Sequence, residues 1–545
     1  MGMSEPVASP HAPVVDRSSG TSTTVTARVL GLEASGWVLV GLLGTLFSLA
    51  LQPAVDPDLG WHLGTGRWIV QQGRIPFTDP FSWSVPGRKW IAHEWLTEVA
   101  MHSVRSVGGD PLLIVMWAGI ITATWGVLHR TARILGASRS WAGWVTALGA
   151  ISTIRMWGVR PQMITFFLTA YVGMRLQRWT RAADRRGRLP WELAPLTALW
   201  VNLHGGYIFG IVMVGVFACG ATGERLISRL NPRRAARPTW KATGSLWALF
   251  GGCLAASLCS PNTLDGLIYP FTYLGDNAST RYVGEWFRPD YSKPQFWPFA
   301  LLLAASVPAM VIGFRRRLIG LTEVGLVVPF AVLGAQSMRN ISLFVVCAVP
   351  VFAAVVSELL RERALSRSQR IAAKLGRGKL RRTGQSSQTA ITRQLTVLIV
   401  AAVASITTVS SVAMAQSSIS AQGNTNARAS LLPVAAAQWL ADHPGGKVFN
   451  HYNYGGWLVL QQVPVFIDGR PDMYGDTFMD EYVRITGSGA TTHWQQSMQA
   501  VGAARVLMPI SSPMAKQIAS DIAAGKAPGW SEPTSDRVAR LFVRR

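Results

Sequence analysis

Directly after the apolar run WVLVGLLGTLFSLALQP (37–53), the chain presents DPDLGWHLGTGRW (56–68), and then IAHEWLTEVAMHSV (91–104). Asp56, Asp58, His62, His93 and Glu94 therefore share one long connection, 54–110. A carboxylate at the lip of an apolar span, partly desolvated, can be held with a pKa suited to taking a proton from a hydroxyl, or it can ligate a divalent cation. Both belong to transfer chemistry. The plain alternative for Asp56 or Asp58 alone is a helix cap after Pro57 or a solvated loop. Five titratable groups in one unusually long loop favour a functional site over that reading.

These groups need a scaffold, and composition says which kind. With 49% hydrophobic residues, 15% charged residues, 22 Trp and a positive mean hydropathy, the chain is neither a soluble enzyme nor a disordered segment. Its net charge of +24 would suggest nucleic acid on one soluble domain, but the basic residues fall in short segments between apolar runs. Windows of roughly 17–22 apolar residues recur near 34–53, 111–128, 140–157, 161–177, 190–203, 205–222, 243–259, 296–314, 320–338, 341–358 and 395–415. The expected fold is thus a polytopic α-helical membrane protein of about 11 transmembrane helices. Segments rich in arginine near 130–139, 175–188, 225–241, 315–317 and 361–393 all fall on one side, which the positive-inside rule makes cytoplasmic. The 54–110 and 260–295 connections then lie outside. The four cysteines sit in expected spans in no metal-ligand spacing, as packing residues.

The first 31 residues, rich in Ser, Thr, Pro and Val, read as a disordered cytoplasmic tail. Residues 32–415 form the membrane module. The basic stretch 359–394 reads as a cytoplasmic linker that anchors topology, or as a specific anionic-lipid site. After 416 the periodicity changes: 431–443 and MAKQIASDIAAG have helical spacing, whereas KVFNHY, VPVFIDGR (463–470) and ARVLMPI (504–510) read as strands. Residues 416–545 are therefore expected to form a small extracytoplasmic α/β domain. Within the first loop, IAHEWLTEVAMHSV has helical spacing and is expected to lie along the membrane surface. Trp61, Trp68, Trp83, Trp90 and Trp95 suit the lipid–water interface.

Further groups are candidates with competing plain readings. Arg155 and Arg160 flank the turn RMWGVRPQ, and Arg339 sits between two spans. A guanidinium contacts phosphate bidentately, or it pairs with lipid headgroups. Asn202 and His204 lie where the chain breaks at Gly205-Gly206, as pathway residues or as satisfied packing groups. Glu285-Trp286 offers an aromatic face beside a carboxylate, a sugar platform or a loop staple. Asp468 and Arg470, after an apolar run, either touch an acceptor glycan or dock the tail on the membrane module.

A carboxylate pair right after the first span, a surface-parallel helix and many spans resemble the GT-C superfamily of polyprenyl-phosphate-sugar-dependent glycosyltransferases. The stretches DPDLGWHLGTGRW, GRIPFTDPFSW, WIAHEWL, WVNLHGG and FIDGRPDMY also resemble a largely uncharacterised bacterial membrane protein family placed near it. The resemblance implies a polyprenyl-phosphate sugar donor, basic side chains near its phosphate, and a first-loop acid that activates the acceptor hydroxyl. Asp58 matches that acid by position, with Asp56 as fallback, and His62, His93 and Glu94 orient it or bind a divalent cation such as Mg or Mn. For a metal, Asp56, Asp58 or His62 are the expected ligands. The implied function is inverting transfer to an envelope glycan or lipid acceptor at the outer face of the bacterial cytoplasmic membrane, without nucleic acid. There is no Asp-Asp or Glu-Asp doublet and no sequon-reading motif, which argues against a protein acceptor. A transporter or flippase of lipid-linked glycans, or a non-catalytic envelope scaffold, are the rival readings.

Overall fold

The computed structural model describes residues 34–181, 189–230, 239–273, 275–374, 419–487 and 493–545, with 405, 409 and 412. The 1–31 tail, residues 375–394 of the 359–394 basic stretch and most of the 395–415 window lie outside the described residues.

Each of the other ten apolar windows holds a helix. Among the described residues these are α1 (Ala34–Ala50), α3 (Trp95–Ile134), α4 (Arg139–Thr153), α5 (Gln162–Arg181), α6 (Leu193–Trp200), α7 (Tyr207–Leu230), α8 (Trp240–Ala256), α11 (Trp297–Arg315), α12 (Leu321–Gln336) and α13 (Ile341–Lys374). Shorter helices α2 (Leu59–Gln72), α9 (Thr263–Ile268) and α10 (Ala278–Tyr282) stand in the two long connections. Four helices among the described residues, Trp95–Ile134, Tyr207–Ile227, Pro294–Arg315 and Met338–Arg367, are long and apolar enough to cross a membrane. They bury large side chains such as Trp125, Phe217, Phe299 and Phe344 between helices.

The first connection does not continue α1. It folds back as α2, runs through an irregular segment closed by the Thr78–Lys89 bridge, and enters α3 at Trp95. Helix α3 is itself broken near its first third. Gly108 (φ −131°, ψ 15°) and Gly109 (φ 65°, ψ −165°) leave helical geometry just before Pro111. The Gly109 conformation is open essentially to glycine alone. The break separates the expected surface segment from the expected span.

The C-terminal part contributes α14 (Ala421–Leu431), α15 (Val434–Asp442), α16 (Gly455–Leu460), α17 (Pro471–Thr486), α18 (Trp494–Val501) and α19 (Pro513–Ala523). They accompany one four-stranded sheet of order β1-β2-β4-β3. Strand β1 (Val448–Asn450) pairs parallel with β2 (Arg505–Pro509), and β4 (Ala539–Arg544) pairs antiparallel with both β2 and β3 (Trp530–Ser535).

Two expectations fail here. Residues 463–470 do not form a strand of this sheet. Their backbone is satisfied elsewhere: Val465 N donates to Phe81 O at 3.2 Å and its carbonyl accepts from Trp83 N at 3.0 Å, while the Asn450 side chain holds Phe466 N and Ile467 O at 2.8 and 2.7 Å. Trp61 and Trp90, expected at the lipid interface, are instead buried inside the protein at 7% and 4% exposure. They pack on a buried guanidinium described below.

Candidate active site

Helix α2 starts at Leu59, so Asp56 and Asp58 stand on the turn that enters it. Asp58 occupies the capping position, yet its side chain makes no capping bond, so its carboxylate is left for other partners. Asp56 Oδ1 accepts the Asp58 backbone N–H at 2.9 Å, and Asp58 Oδ1 accepts Trp61 Nε1 at 3.2 Å. The remaining oxygens face Arg160, from the turn before α5: Arg160 Nε lies 3.1 Å from Asp56 Oδ2 and an Nη 3.6 Å from Asp58 Oδ2. The other Nη pairs with Glu285. One guanidinium thus holds three carboxylates, two from the turn entering α2 and one from the 260–295 connection.

That arrangement sets the acid–base behaviour. Burial, then the neighbouring Asp56 carboxylate, pushes the Asp58 carboxyl up to about 7, against the opposing pull of Arg160. Asp56 is raised too, by burial, so the two carboxyls titrate as a raised pair against the pull of Arg160. Burial also works to raise Glu285, yet Arg160 and Arg339 outweigh it and hold that carboxyl below its usual range. Asp58 keeps 30% of its side chain exposed. That edge faces a cavity of about 310 Å³, at the lower end of the roughly 300–1,000 Å³ typical of small-molecule sites. Gly469 closes in from the C-terminal part, and a Cβ there would collide with Asp58 Oδ1.

On one wall of the cavity Tyr273 stacks on Trp286 at 5.3 Å and 9°, and the Arg339 guanidinium lies 5.3 Å from the Trp286 ring centre. Arg339 is 34% exposed and reaches Glu285 only at 3.9 Å. His62 Nδ1 lies 3.1 Å from Glu98 and 3.4 Å from Glu94. The other Glu94 oxygen is 3.4 Å from His93 Nε2 and 3.2 Å from His204 Nε2. Gly206 N donates to His204 Nδ1 at 2.8 Å, which puts the His204 proton on Nε2, toward Glu94. Burial holds His204 at about 3 and His62 at about 4. Burial works to lower His93 too, but Glu94 overcomes it and raises its pKa.

Of the residues singled out from sequence, Asp56, Asp58, His62, His93, Glu94, Arg160, Glu285, Trp286, Arg339 and Arg470 all line this one cavity. Arg155, Asn202, His204 and Asp468 do not. Arg155 is exposed on the turn Ile154–Met156. Asn202 is committed to packing: its Nδ2 donates to Ala198 O and Cys259 O at 2.8 and 2.9 Å, and its Oδ1 accepts Trp95 Nε1 at 2.9 Å. Asp468 is fully buried and paired with Arg470. Arg160 differs from an open phosphate-binding arginine, because three acids already occupy its edges. For a metal, His62 is grouped not with Asp56 and Asp58 but with Glu94 and Glu98, all buried, with candidate ligand atoms within 4.8 Å of one another.

Sequence reasoning missed Glu98, Tyr269, Tyr273, Tyr452, Asn453 and Asp472, which complete the walls. A signal existed for Glu98, one helical turn after Glu94 in HEWLTE and so on the same face of α3.

Solved structures share this architecture. The oligosaccharyltransferase of Archaeoglobus fulgidus tethered with an acceptor peptide containing the NVT sequon matches at TM-score 0.54 and 12% identity, over 92% of this chain and 74% of that one. The archaeal oligosaccharyltransferase AglB from Archaeoglobus fulgidus, in complex with an inhibitory peptide and a dolichol-phosphate, matches at 0.52 and 9%, over 87% and 69%. The arabinofuranosyltransferase AftD from Mycobacteria matches at 0.51 and 15%, over 94% of this chain and 40% of that one. The chain has a GT-C-like fold. Its apolar helices are consistent with a membrane location. No protein-family model matches the chain, and no curated protein does either.

Proposed function

We propose that the protein is an inverting glycosyltransferase that moves a sugar from a polyprenyl-phosphate donor to an envelope glycan or lipid acceptor at the outer face of the bacterial cytoplasmic membrane. The observation that carries this reading is Asp58: a carboxylate held near neutrality, wet at one edge, on a cavity shared with Arg339 and a stacked aromatic pair. Similar folds that handle an acceptor peptide and a dolichol-phosphate support it. In the reaction Asp58 takes the acceptor hydroxyl proton as that oxygen attacks the anomeric carbon. The bond from that carbon to the phosphate oxygen breaks, and polyprenyl phosphate leaves. One displacement inverts the centre. Arg339, the least encumbered of the three arginines lining the cavity, meets the developing phosphate charge. Arg160 fixes Asp56, Asp58 and Glu285 in place, and the Trp286–Tyr273 face receives the sugar ring.

Asp58→Asn keeps the shape and removes the base. It is expected to lower transfer of labelled sugar from a polyprenyl-phosphate donor in proteoliposomes by roughly 10²–10⁴-fold, with expression and insertion unchanged. Wild-type turnover in that variant would refute the assignment.

The topology belongs to the same proposal: eleven spans, the N-terminus in the cytoplasm and residues 416–545 outside, because every arginine-rich connection then shares one side. Ser535 is exposed in the C-terminal sheet. With the native cysteines replaced, Ser535→Cys is expected to react with a membrane-impermeant maleimide in intact spheroplasts. Labelling only after lysis would reverse the orientation.

A further inference from the structure

We propose that His62, Glu94 and Glu98 form a binding site for one divalent first-row transition-metal ion of the Mn²⁺ to Zn²⁺ group, opening on the cavity described above. The inference does not need the transferase reading, since it rests on three side chains alone. Helix α2 supplies the imidazole. Glu94 and Glu98 come from the entry and first turn of α3, one helical turn apart, and aim at the same ring nitrogen, His62 Nδ1, from 3.4 and 3.1 Å.

Hydrogen bonding alone leaves this group incomplete. Nδ1 carries at most one proton and cannot satisfy two carboxylates. Glu98 is 1% exposed, and its Oε2 has no hydrogen-bond partner among the described residues. A buried carboxylate oxygen without a partner is costly. The buried guanidinium of Arg470 pairs through Nε and one Nη with Asp79 and Asp468, and its other Nη, like Glu98 Oε2, has no hydrogen-bond partner among the described residues. A divalent cation would neutralise both glutamates at once.

The spacing fits. Two donors each about 2.1 Å from an ion stand about 3.0 Å apart at a right angle and about 3.4 Å apart at the tetrahedral angle. The observed separations from Nδ1 span that range. One imidazole with two carboxylates suits Mn²⁺ or Zn²⁺ better than an all-oxygen cage for Ca²⁺ or Mg²⁺ would. The second oxygen of Glu94 lies 3.4 and 3.2 Å from His93 Nε2 and His204 Nε2, the latter without a hydrogen-bond partner among the described residues. All three ligands line the cavity, so the ion's open positions would face whatever occupies it.

The test uses full-length protein in detergent, stripped with a chelator and equilibrated with Mn²⁺. One Mn²⁺ per chain is expected by elemental analysis, with nitrogen hyperfine coupling from one imidazole in its pulsed EPR spectrum. Glu98→Gln and His62→Ala are each expected to weaken binding by roughly 10–100-fold, while Asp58→Asn binds as the wild type does. Loss of transfer in Asp58→Asn with retained Mn²⁺ would leave both readings standing, and retained Mn²⁺ in a protein with no transferase activity would sink only the function. Substoichiometric metal, no nitrogen coupling in the wild-type protein, or wild-type affinity in Glu98→Gln would each overturn the site. The wild-type EPR signal decides even if a variant fails to fold.

Discussion

The raised pKa of the Asp58 carboxyl is the residue-scale feature from which most of the chemistry follows. A base must be ionised to act, so transfer should fail as pH falls through the value that burial and Asp56 impose, about 7. The kcat/KM profile is expected to rise on the acid side with its midpoint near there. Glu285 adds a negative charge that raises the Asp58 pKa. Glu285→Gln removes that charge and frees Arg160 to pull harder on Asp58, and both changes move the midpoint to lower pH. A flat profile between pH 5.5 and 8.5, or an alkaline shift in Glu285→Gln, would remove Asp58 from the role of base; these limits bracket the value by roughly one and a half units. The acidic loop was legible in DPDLGWH because residues close in sequence announce themselves. The Arg160 nest was not, because its acids come from residues 56, 58 and 285, and charge pairing across such distances leaves no local pattern.

At the scale of elements, hydropathy located helices well because a 3.6-residue period over fifteen or more residues is a strong signal. It read 463–470 wrongly as a strand. An apolar run bounded by polar residues fits a strand equally well when its partners are a loop and an asparagine side chain, which sequence does not reveal. The break in α3 matters more for function. It lets Glu94 and Glu98 project into the cavity while the rest of the helix runs on as the apolar span. Gly109 holds a backbone conformation with φ 65° and ψ −165°. Gly109→Ala is therefore expected to cost roughly 1–3 kcal/mol, seen as a lower unfolding midpoint in detergent, with a steeper loss of transfer as α3 straightens. An unchanged midpoint would mean that the break is not strained.

Across the whole molecule, the two parts of the chain are joined by charge buried deep between them. Arg470 is 2% exposed, with Nε 2.8 Å from Asp468 Oδ1 and an Nη 2.9 Å from Asp79 of the first loop. Its guanidinium lies 4.5 Å from the Trp90 ring centre and 5.3 Å from that of Phe81. The Asp79 pair ties the C-terminal part to the first loop, and the guanidinium explains why Trp61 and Trp90 are inside. It also places Gly469 against Asp58, so the C-terminal part shapes the site as well as covering it. Such a cluster adds little net stability over an apolar replacement, but breaking it leaves two buried carboxylates uncompensated. Arg470→Met is expected to destabilise the protein by about 3–5 kcal/mol and to expose the 463–470 segment to protease, because its bridge to Ser82 and the Asp79 pair act together. The triple variant Arg470→Met, Asp79→Asn, Asp468→Asn should recover much of that loss, since no unpaired charge remains. If Arg470→Met melts at the wild-type temperature and resists protease equally, the guanidinium does not hold the two parts together, and the placement of Gly469 over Asp58 must be secured by the Trp83 and Ser84 contacts to Val448 and Phe466 instead.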